Sequence, residues 1–395
     1  MSLDQTTIRD LIDLTDGIGV LSFYVGHTPA QAADPQPTTP IEIRNQLRAL
    51  KAELGERDGR LAKAVDKRLG RSAAALEALL DPKASGRGRA LFVGVESGET
   101  ASVSVQMPFR ERVVFHDRPY VRPLVAAYDE GRPAGILVVS RAGARVLRWA
   151  LGEIEEVTRH TFELTDEQVA TQKTGPAPSN PQLSQHGFVD RDRFEDRIDE
   201  SRHRFLRGVI DDLATRAKEH GWDRVVVSGP PKLREEARGL MEAATDGIRV
   251  LQAEQAWEEA SPSVIADQAW PLLRSVVRDR ERALTDAALE RALSGGAGAI
   301  GLRNVCAGLN QGRVAHLLYD VDANLHGYRS EEGTLHPRVE GFAAQAEFEM
   351  TREPLFVERM IEHAIATGAA VTPIEDDDAV AKLREHEGVA ALLRW

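Results

Sequence analysis

The chain has 395 residues, 42% hydrophobic and 28% charged, enough apolar material for two or three packed domains and too much for a disordered chain. With 62 acidic against 50 basic residues the formal charge is −12, which excludes a global basic field drawing the chain onto nucleic acid and leaves only local basic patches. The single cysteine, Cys306, excludes an internal disulfide and any paired-cysteine zinc or redox motif. Neither a basic leader with an apolar core nor an apolar run of about 18 residues occurs, so a cytoplasmic protein without a membrane span is expected.

In chain order, the first segment reads as α/β. Residues 8–14 have the spacing of a short amphipathic helix, and residues 20–25 form a strand between Gly19 and Gly26. Residues 28–40 hold four prolines and predict a loop. Ile43, Leu47, Leu50 and Leu54 recur at helical spacing, and a second helix is expected from Leu61 to Leu80, stopped by Asp81-Pro82. Residues 90–95 have the length of a buried strand. They pair across the turn Ser97-Gly98-Glu99 with the alternating Val103, Val105 and Met107 as a hairpin. Glu130-Gly131-Arg132-Pro133 marks a domain boundary.

Residues 135–140 and 146–151 predict a second, strongly apolar hairpin. No periodicity runs from Thr165 to Val189, where Gly175, Pro176, Pro178 and Pro181 predict a long exposed loop of a kind that is usually functional or disordered. A long helix follows, with Phe194, Ile198, Phe205, Val209, Leu213 and Ala217 on its apolar face, ending at His220-Gly221. A buried strand over 224–229, a helix after Pro231 and a strand over 248–251 complete this module. The last third reads as helix around 272–293, helix 302–309, strand 314–319 and a polar stretch from Asp320 to about Met350. Helix 355–367, strand 370–374, helix 379–385 and strand 389–395 then close it. The acidic run Glu375-Asp376-Asp377-Asp378 reads as a solvated turn.

Several motifs invite a ligand and are weak on inspection. Gly296-Ala297-Gly298-Ala299-Ile300-Gly301 matches the dinucleotide pattern, but a helix rather than a strand is expected before it, so it reads as a helix–helix connector. Asp320, Asp322, Asn324 and Glu331 have calcium-loop spacing, but Leu325 stands where the sharp turn requires glycine. His316, His326 and His336 with Cys306 fit no standard zinc spacing, so no metal and no cofactor is expected. The common hydrolase and nucleotide-phosphate signatures are absent, and Ser184 beside His186 is too common a pair to carry weight. Residues 191–207 carry six arginines against five acids and read first as an exposed helix laced with ion pairs. Its second half, Arg202-His203-Arg204 with Arg207, is net basic and suits phosphate contacts.

The order of segments resembles a known family. Leu91-Phe92-Val93-Gly94, the hairpin into Met107-Pro108-Phe109, and Tyr120-Val121-Arg122-Pro123-Leu124 resemble the end of the N-terminal domain of archaeal and eukaryotic class-one translation release factors, the Pelota-like proteins included. Residues 135–139 through 151–157 look like the opening of their middle domain. The proline-rich loop and Arg202-His203-Arg204-Phe205 fall where that family has its catalytic loop and following helix, and residues 387–395 are similar to its closing strand. Two features depart from the pattern. The Gly-Gly-Gln tripeptide that positions water at the peptidyl-tRNA ester is missing from residues 172–187, as is the Asn-Ile-Lys-Ser codon-reading loop from residues 43–80.

The resemblance implies an α/β protein of three domains: 1–131 like the release-factor N-terminal domain, 132–262 RNase-H-like with the long loop 165–189, and 263–395 like the k-turn-binding ribosomal proteins. It further implies a bacterial, ribosome-associated factor of the A site that places loop 172–188 near the peptidyl-transferase centre or the tRNA end. Such a factor acts in hibernation or rescue without stop-codon decoding. Lys173, His186, Arg202, His203, Arg204 and Arg207 are the candidate nucleic-acid contacts. The implied partners are ribosomal RNA, a tRNA end and a translational GTPase, with no membrane. An enzymatic alternative is a peptidyl-tRNA hydrolase in which Gln182 or Gln185 orients water, and a third reading is a protein–protein adaptor.

Overall fold

A computed structural model describes residues 3–27, 39–163, 184–337 and 350–395, except the side chains of 184–196. The chain is a mixed α/β protein of several sheets and divides into two compact units. One joins Met1–Gly131 to Val277–Trp395; the other is Arg132–Val276.

The first unit opens with α1 (Gln5–Asp13), capped by the Asp4 carboxylate on the Thr7 N–H, and leads into β1 (Val20–Gly26). Its first sheet is antiparallel, with β1 between β2 (Gly88–Gly94) and β4 (Arg112–His116), and β3 (Thr100–Val105) outside β2. All seven residues of β1 are buried, and their alternation assigns two faces. Leu21, Phe23 and Val25 join Ile43, Leu54, Val65, Leu69 and Leu79 of α2 (Thr39–Arg57), α3 (Gly59–Arg71) and α4 (Ala73–Leu80) in one core. From the opposite face Tyr24 meets Phe92, Phe109 and Tyr120 edge-on, at centroid separations of 5.9, 5.3 and 6.2 Å. The single helix expected over 61–80 is instead α3 and α4, broken at Ser72, whose N–H bonds to both Arg68 and Leu69 carbonyls. The break lets Leu69 and Leu79 reach the same core.

Two side features fix this sheet. The Asp16 carboxylate accepts N–H bonds from Ile18, Gly19, Glu96 and Ser97, which hold it well below the usual carboxylate range against the opposing effect of its burial. Gly26 and Gly88 pair across β1 and β2; a Cβ on either would stand 2.0 Å from a backbone oxygen, that of Phe109 or Met107. The paired glycines therefore let residues 107–109 cross close over the sheet.

The second sheet of this unit has the order β10 (Gly298–Ile300), β16 (Val389–Leu393), β11 (Val314–Asp320), β15 (Ala370–Ile374), with only β11 and β15 parallel. The glycine-rich connector expected at 296–301 is thus partly a strand, leading into α9 (Gly301–Asn310). The first turn of α9 is occupied: the Leu302 N–H bonds to a Glu387 carboxylate oxygen at 2.7 Å, a position a phosphate would need. The stretch read as polar and irregular contains a small sheet, β13 (Leu335–Pro337), β12 (Gly327–Ser330), β14 (Met350–Glu353). The acidic run is no solvated turn either. Asp376 is buried, caps α11 (Asp377–Arg384) through the Ala379 N–H and pairs with Arg282, while Glu375 pairs with Arg278.

What joins the N- and C-terminal parts of this unit is a buried charged cluster. Arg359, on α10 (Phe356–Ala366), is 2% exposed, and its guanidinium holds Glu353 at 3.0 Å, Glu362 at 2.6 Å and Asp117. His116, at the end of β4, faces Asp117 through Nδ1 and Glu353 through Nε2, the latter at 3.0 Å. Burial of the ring works against its charge, but hydrogen bonds to Asp117 and Glu353 raise its pKa above the ordinary value. Nearby, α5 (Arg122–Glu130) adds Arg122, whose guanidinium bonds the carbonyls of Asp320, Val321 and Ala323. Glu130 and Asp129 meet Arg278 and Arg280.

The second unit is built on one sheet of order β7 (Glu153–Thr161), β6 (Gly143–Ala150), β5 (Ala134–Val139), β8 (Arg224–Ser228), β9 (Arg249–Gln252). The first three strands form an antiparallel meander and the last two run parallel to β5, the arrangement expected of an RNase-H-like sheet. Leu137, Val139, Val225 and Val227 pack against Val209, Leu213 and Ala217 of α6 (Ser184–Glu219) and Ala237 and Met241 of α7 (Pro231–Ala244). Trp149 stacks on Trp270 of the helix α8 (Pro262–Leu293) at 5.3 Å. Of the long loop expected over 165–189, residues 184–189 begin α6, and the remainder lies outside the described residues.

Removing Arg359 takes from the buried Glu353 and Glu362 the guanidinium they share, so Arg359→Met should destabilise the first unit by about 3–5 kcal/mol in urea unfolding. Gly26→Ala should cost about 1–3 kcal/mol by the same measurement, through overpacking against the Phe109 carbonyl. Because the folded pKa of His116 is raised, its charge stabilises fully below the unfolded value and the contribution is lost as pH rises through the folded value. His116→Gln should therefore lose more stability at slightly acidic pH than at alkaline pH; equal losses would refute the assignment.

Candidate functional site

In the second unit, α6 carries the arginine-rich stretch and lies against the N-terminal half of α7, which begins at Pro231 after β8. Between the two helices is a groove of about 530 Å³ lined by Asp199, Glu200, Arg202, His203, Lys232, Leu233 and Glu236. Its charges are interlocked. Asp199 accepts from Lys232 at 2.8 Å and from Arg202 at 3.3 Å, and the Lys232 hydrogen bond holds its carboxyl below the usual range. Its own hydrogen bond to Asp199 raises the Lys232 ammonium correspondingly. His203 Nδ1 faces Glu236 Oε1 at 2.6 Å.

Arg202 is also held by aromatic packing. Its guanidinium lies over Phe162, 5.5 Å from the ring centroid, and Phe162 packs on Phe205 at 5.4 Å. Phe162 directly follows β7, so the end of the meander and the middle of α6 are pinned together on either side of the segment 164–183. Among the described residues Arg204 reaches only Glu200, at 3.8 Å with both side chains 74% exposed, and Arg207 is exposed.

The predicted site residues thus separate. Arg202 and His203 are drawn into pairs with acids, whereas Arg204 and Arg207 remain on the solvent side of α6. Lys173 and Gln182 lie outside the described residues. Gln185 and His186 lie on the first turns of α6, in the part whose side chains are not described. Counting the groove, two permanent cations (Arg202, Lys232) face three carboxylates (Asp199, Glu200, Glu236), so it offers no net positive field to a phosphate. Lys232, Glu236 and Phe162 carry no local sequence signal that marks them as parts of this site. Only the packing of α7 and the end of β7 against α6 brings them there. Among the described residues no group of three or more His, Cys, Asp or Glu could hold a metal ion, and no helix is long and apolar enough to cross a membrane.

Because the His203–Glu236 pair is half-exposed, His203→Ala should cost no more than about 1 kcal/mol of stability. Leu213→Ala, on the buried face of the same helix, should cost about 2–5 kcal/mol in the same urea titration.

Comparison with known proteins places this geometry. Residues 119–274, which include the whole sheet of the second unit and both helices of the groove, match the model of bacterial archaeo-eukaryotic release factor family 10. No match is found among the curated proteins. Among solved structures, the chain is similar to the archaeal translation termination factor aRF1 at 18% identity and a TM-score of 0.24, covering 100% of this chain and 99% of that one. It is also similar to Archaeoglobus fulgidus Pelota at 14% identity and 0.36, over 78% and 79% of the two chains. A third likeness is to archaeal Pelota from a ribosome-bound assembly with ABCE1, at 12% and 0.44, over 100% and 95%. The likeness rests on the sequence match rather than on these superpositions: residues 119–274 are similar to bacterial archaeo-eukaryotic release factor family 10.

Proposed function

We propose that the protein is a ribosome-associated translation factor that occupies the A site and acts in hibernation or rescue. The observation that carries this reading is the release-factor family match over residues 119–274. In this reading the functional partition follows segments 1–131, 132–262 and 263–395. Residues 172–188 are presented toward the peptidyl-transferase centre or a tRNA end, and a translational GTPase is the delivery partner. The absence of a Gly-Gly-Gln tripeptide and of an Asn-Ile-Lys-Ser loop from the sequence supports a role without peptide release or stop-codon reading. Paired glycines matter because only residues without a Cβ permit the close backbone approach that such hydrolysis needs.

The interlocked groove supports a division of labour along α6. Arg202 and His203 hold the helix to its neighbours, and Arg204 and Arg207, free of buried partners, are the side chains available to RNA phosphates. With a net charge of −12, binding must come from such local contacts together with shape.

Co-sedimentation of the full chain with ribosomes of its own source should show binding at low salt that weakens as salt rises. The double variant Arg204→Glu/Arg207→Glu should weaken it by roughly tenfold. Absence of binding even at low salt would remove the ribosome from the account. Incubation with ribosomes bearing peptidyl-tRNA should release no peptide. Release that disappears in Gln182→Ala or Gln185→Ala would make the protein a hydrolase instead.

A further inference from the structure

The solvent side of α3 concentrates positive charge in a chain that is acidic as a whole. Its 13 residues carry Arg60, Lys63, Lys67, Arg68 and Arg71 against a single acid, Asp66, whereas the whole chain has 62 acidic and 50 basic residues. Two of the charges on α3 are occupied within the unit. Arg68 donates to the carbonyls of Val95 at 2.9 Å and Glu96 at 2.7 Å, and Asp66 is paired with Lys51 of α2. Arg60, Lys63, Lys67 and Arg71 are exposed, and their side chains make no ion pair or hydrogen bond among the described residues.

These four follow one another at steps of three, four and four residues, which return to the same face of a helix. That face is opposite Val65 and Leu69, which are buried in the core of the unit. At a rise of about 1.5 Å per residue, the cations form a row roughly 16 Å long. At physiological ionic strength a charge is felt over about 8 Å, so the row acts locally in spite of the net charge of the chain.

The surroundings of the row decide what it can meet. The apolar side of α3 is committed to the core shared with α2 and α4, so the helix has no face left to sink into a bilayer. Its other exposed residues are Gly59, Asp66 and Gly70. They offer no aromatic or aliphatic anchor for a protein partner, no ring on which a base of a single strand would stack, and no amide to read a base edge. What remains is a rigid row of point charges, complementary to a polyanion of regular charge spacing. One strand of a nucleic-acid duplex carries roughly five phosphates over the same length. We propose that the solvent face of α3 binds the phosphate backbone of double-helical RNA through Arg60, Lys63, Lys67 and Arg71. The choice of RNA rests on the ribosomal role proposed above, whereas the surface is separate from Arg204 and Arg207, which belong to the other unit.

Fluorescence anisotropy of the full chain carrying Arg204→Glu/Arg207→Glu, so that α6 does not contribute, tests this. The probes are an RNA duplex of about 20 base pairs, a DNA duplex and a single-stranded RNA of the same sequence, and phosphatidylserine vesicles in a parallel sedimentation assay. The RNA duplex should bind at low salt, with a slope of log K against log salt of about −3 for four phosphate contacts. Adding Lys63→Gln/Lys67→Gln should weaken it about tenfold and make the slope shallower by about 2. The urea midpoint should stay where it is, because both side chains are exposed and unpaired. Duplex binding that persists when co-sedimentation with ribosomes fails would keep this contact and remove the ribosome. No duplex binding at low salt, an affinity and slope unchanged by the lysine substitutions, or equal or tighter binding of DNA, single-stranded RNA or vesicles would each overturn the proposal.

Discussion

The first unit depends on one guanidinium. Arg359 sits at 2% exposure among Glu353, Glu362 and Asp117, with His116 bridging two of those acids. Taking so many charges out of water is expensive, and the cluster offsets this by pairing the guanidinium with three carboxylates and the imidazole with two. The partners come from opposite ends of the chain: His116 and Asp117 from the first sheet, the rest from β14 and α10. Around this hub Arg122, Arg278 and Arg280 repeat the same device, each holding residues far away in sequence. A unit assembled from two distant stretches needs specific registration, and directional ion pairs supply it where apolar packing alone tolerates slippage.

The same residue types do different work in the second unit, because exposure changes what a charge is worth. In the groove between α6 and α7 the pairs of Asp199, Lys232, His203 and Glu236 are half in water and contribute little to stability. They neutralise one another and leave Arg204 and Arg207 as the outward cations. The apolar work there is done by the face of α6 that carries Val209, Leu213 and Ala217 against the sheet. The release-factor family model matches this region, in which the arginine-rich helix is held by its core side.

Much of this was legible in the sequence where a local pattern carries the signal. The apolar runs of β1, β2, β5 and β8, the helical spacing of Ile43 to Leu54 and the turn at Ser97-Gly98 identify elements because side-chain periodicity reflects one buried face. The failures have a common cause. The break at Ser72, the strand β10 within a glycine pattern, and the short strands β12 and β13 are too brief to show a period, and each exists only because a partner strand or a shared core holds it. Glu375 and Asp376 looked like a solvated run because their cationic partners, Arg278 and Arg282, are nearly a hundred residues away.

From the residues alone came the α/β class, the order of helices and strands, the basic second half of α6 and the segment-by-segment likeness to release factors. The first three are properties of neighbours along the chain that hydrophobic spacing or charge count registers directly, and the last is a resemblance in the order of motifs. Tertiary structure alone decided that the two ends of the chain build one unit around Arg359 and that Arg202 and His203 are held in half-buried pairs while Arg204 and Arg207 stay exposed. It alone left Glu358 buried, with one carboxylate oxygen closed off from water and without a donor among the described residues. The free energy of a charge is set by the dielectric and the partners around it, and those are fixed only when distant segments meet.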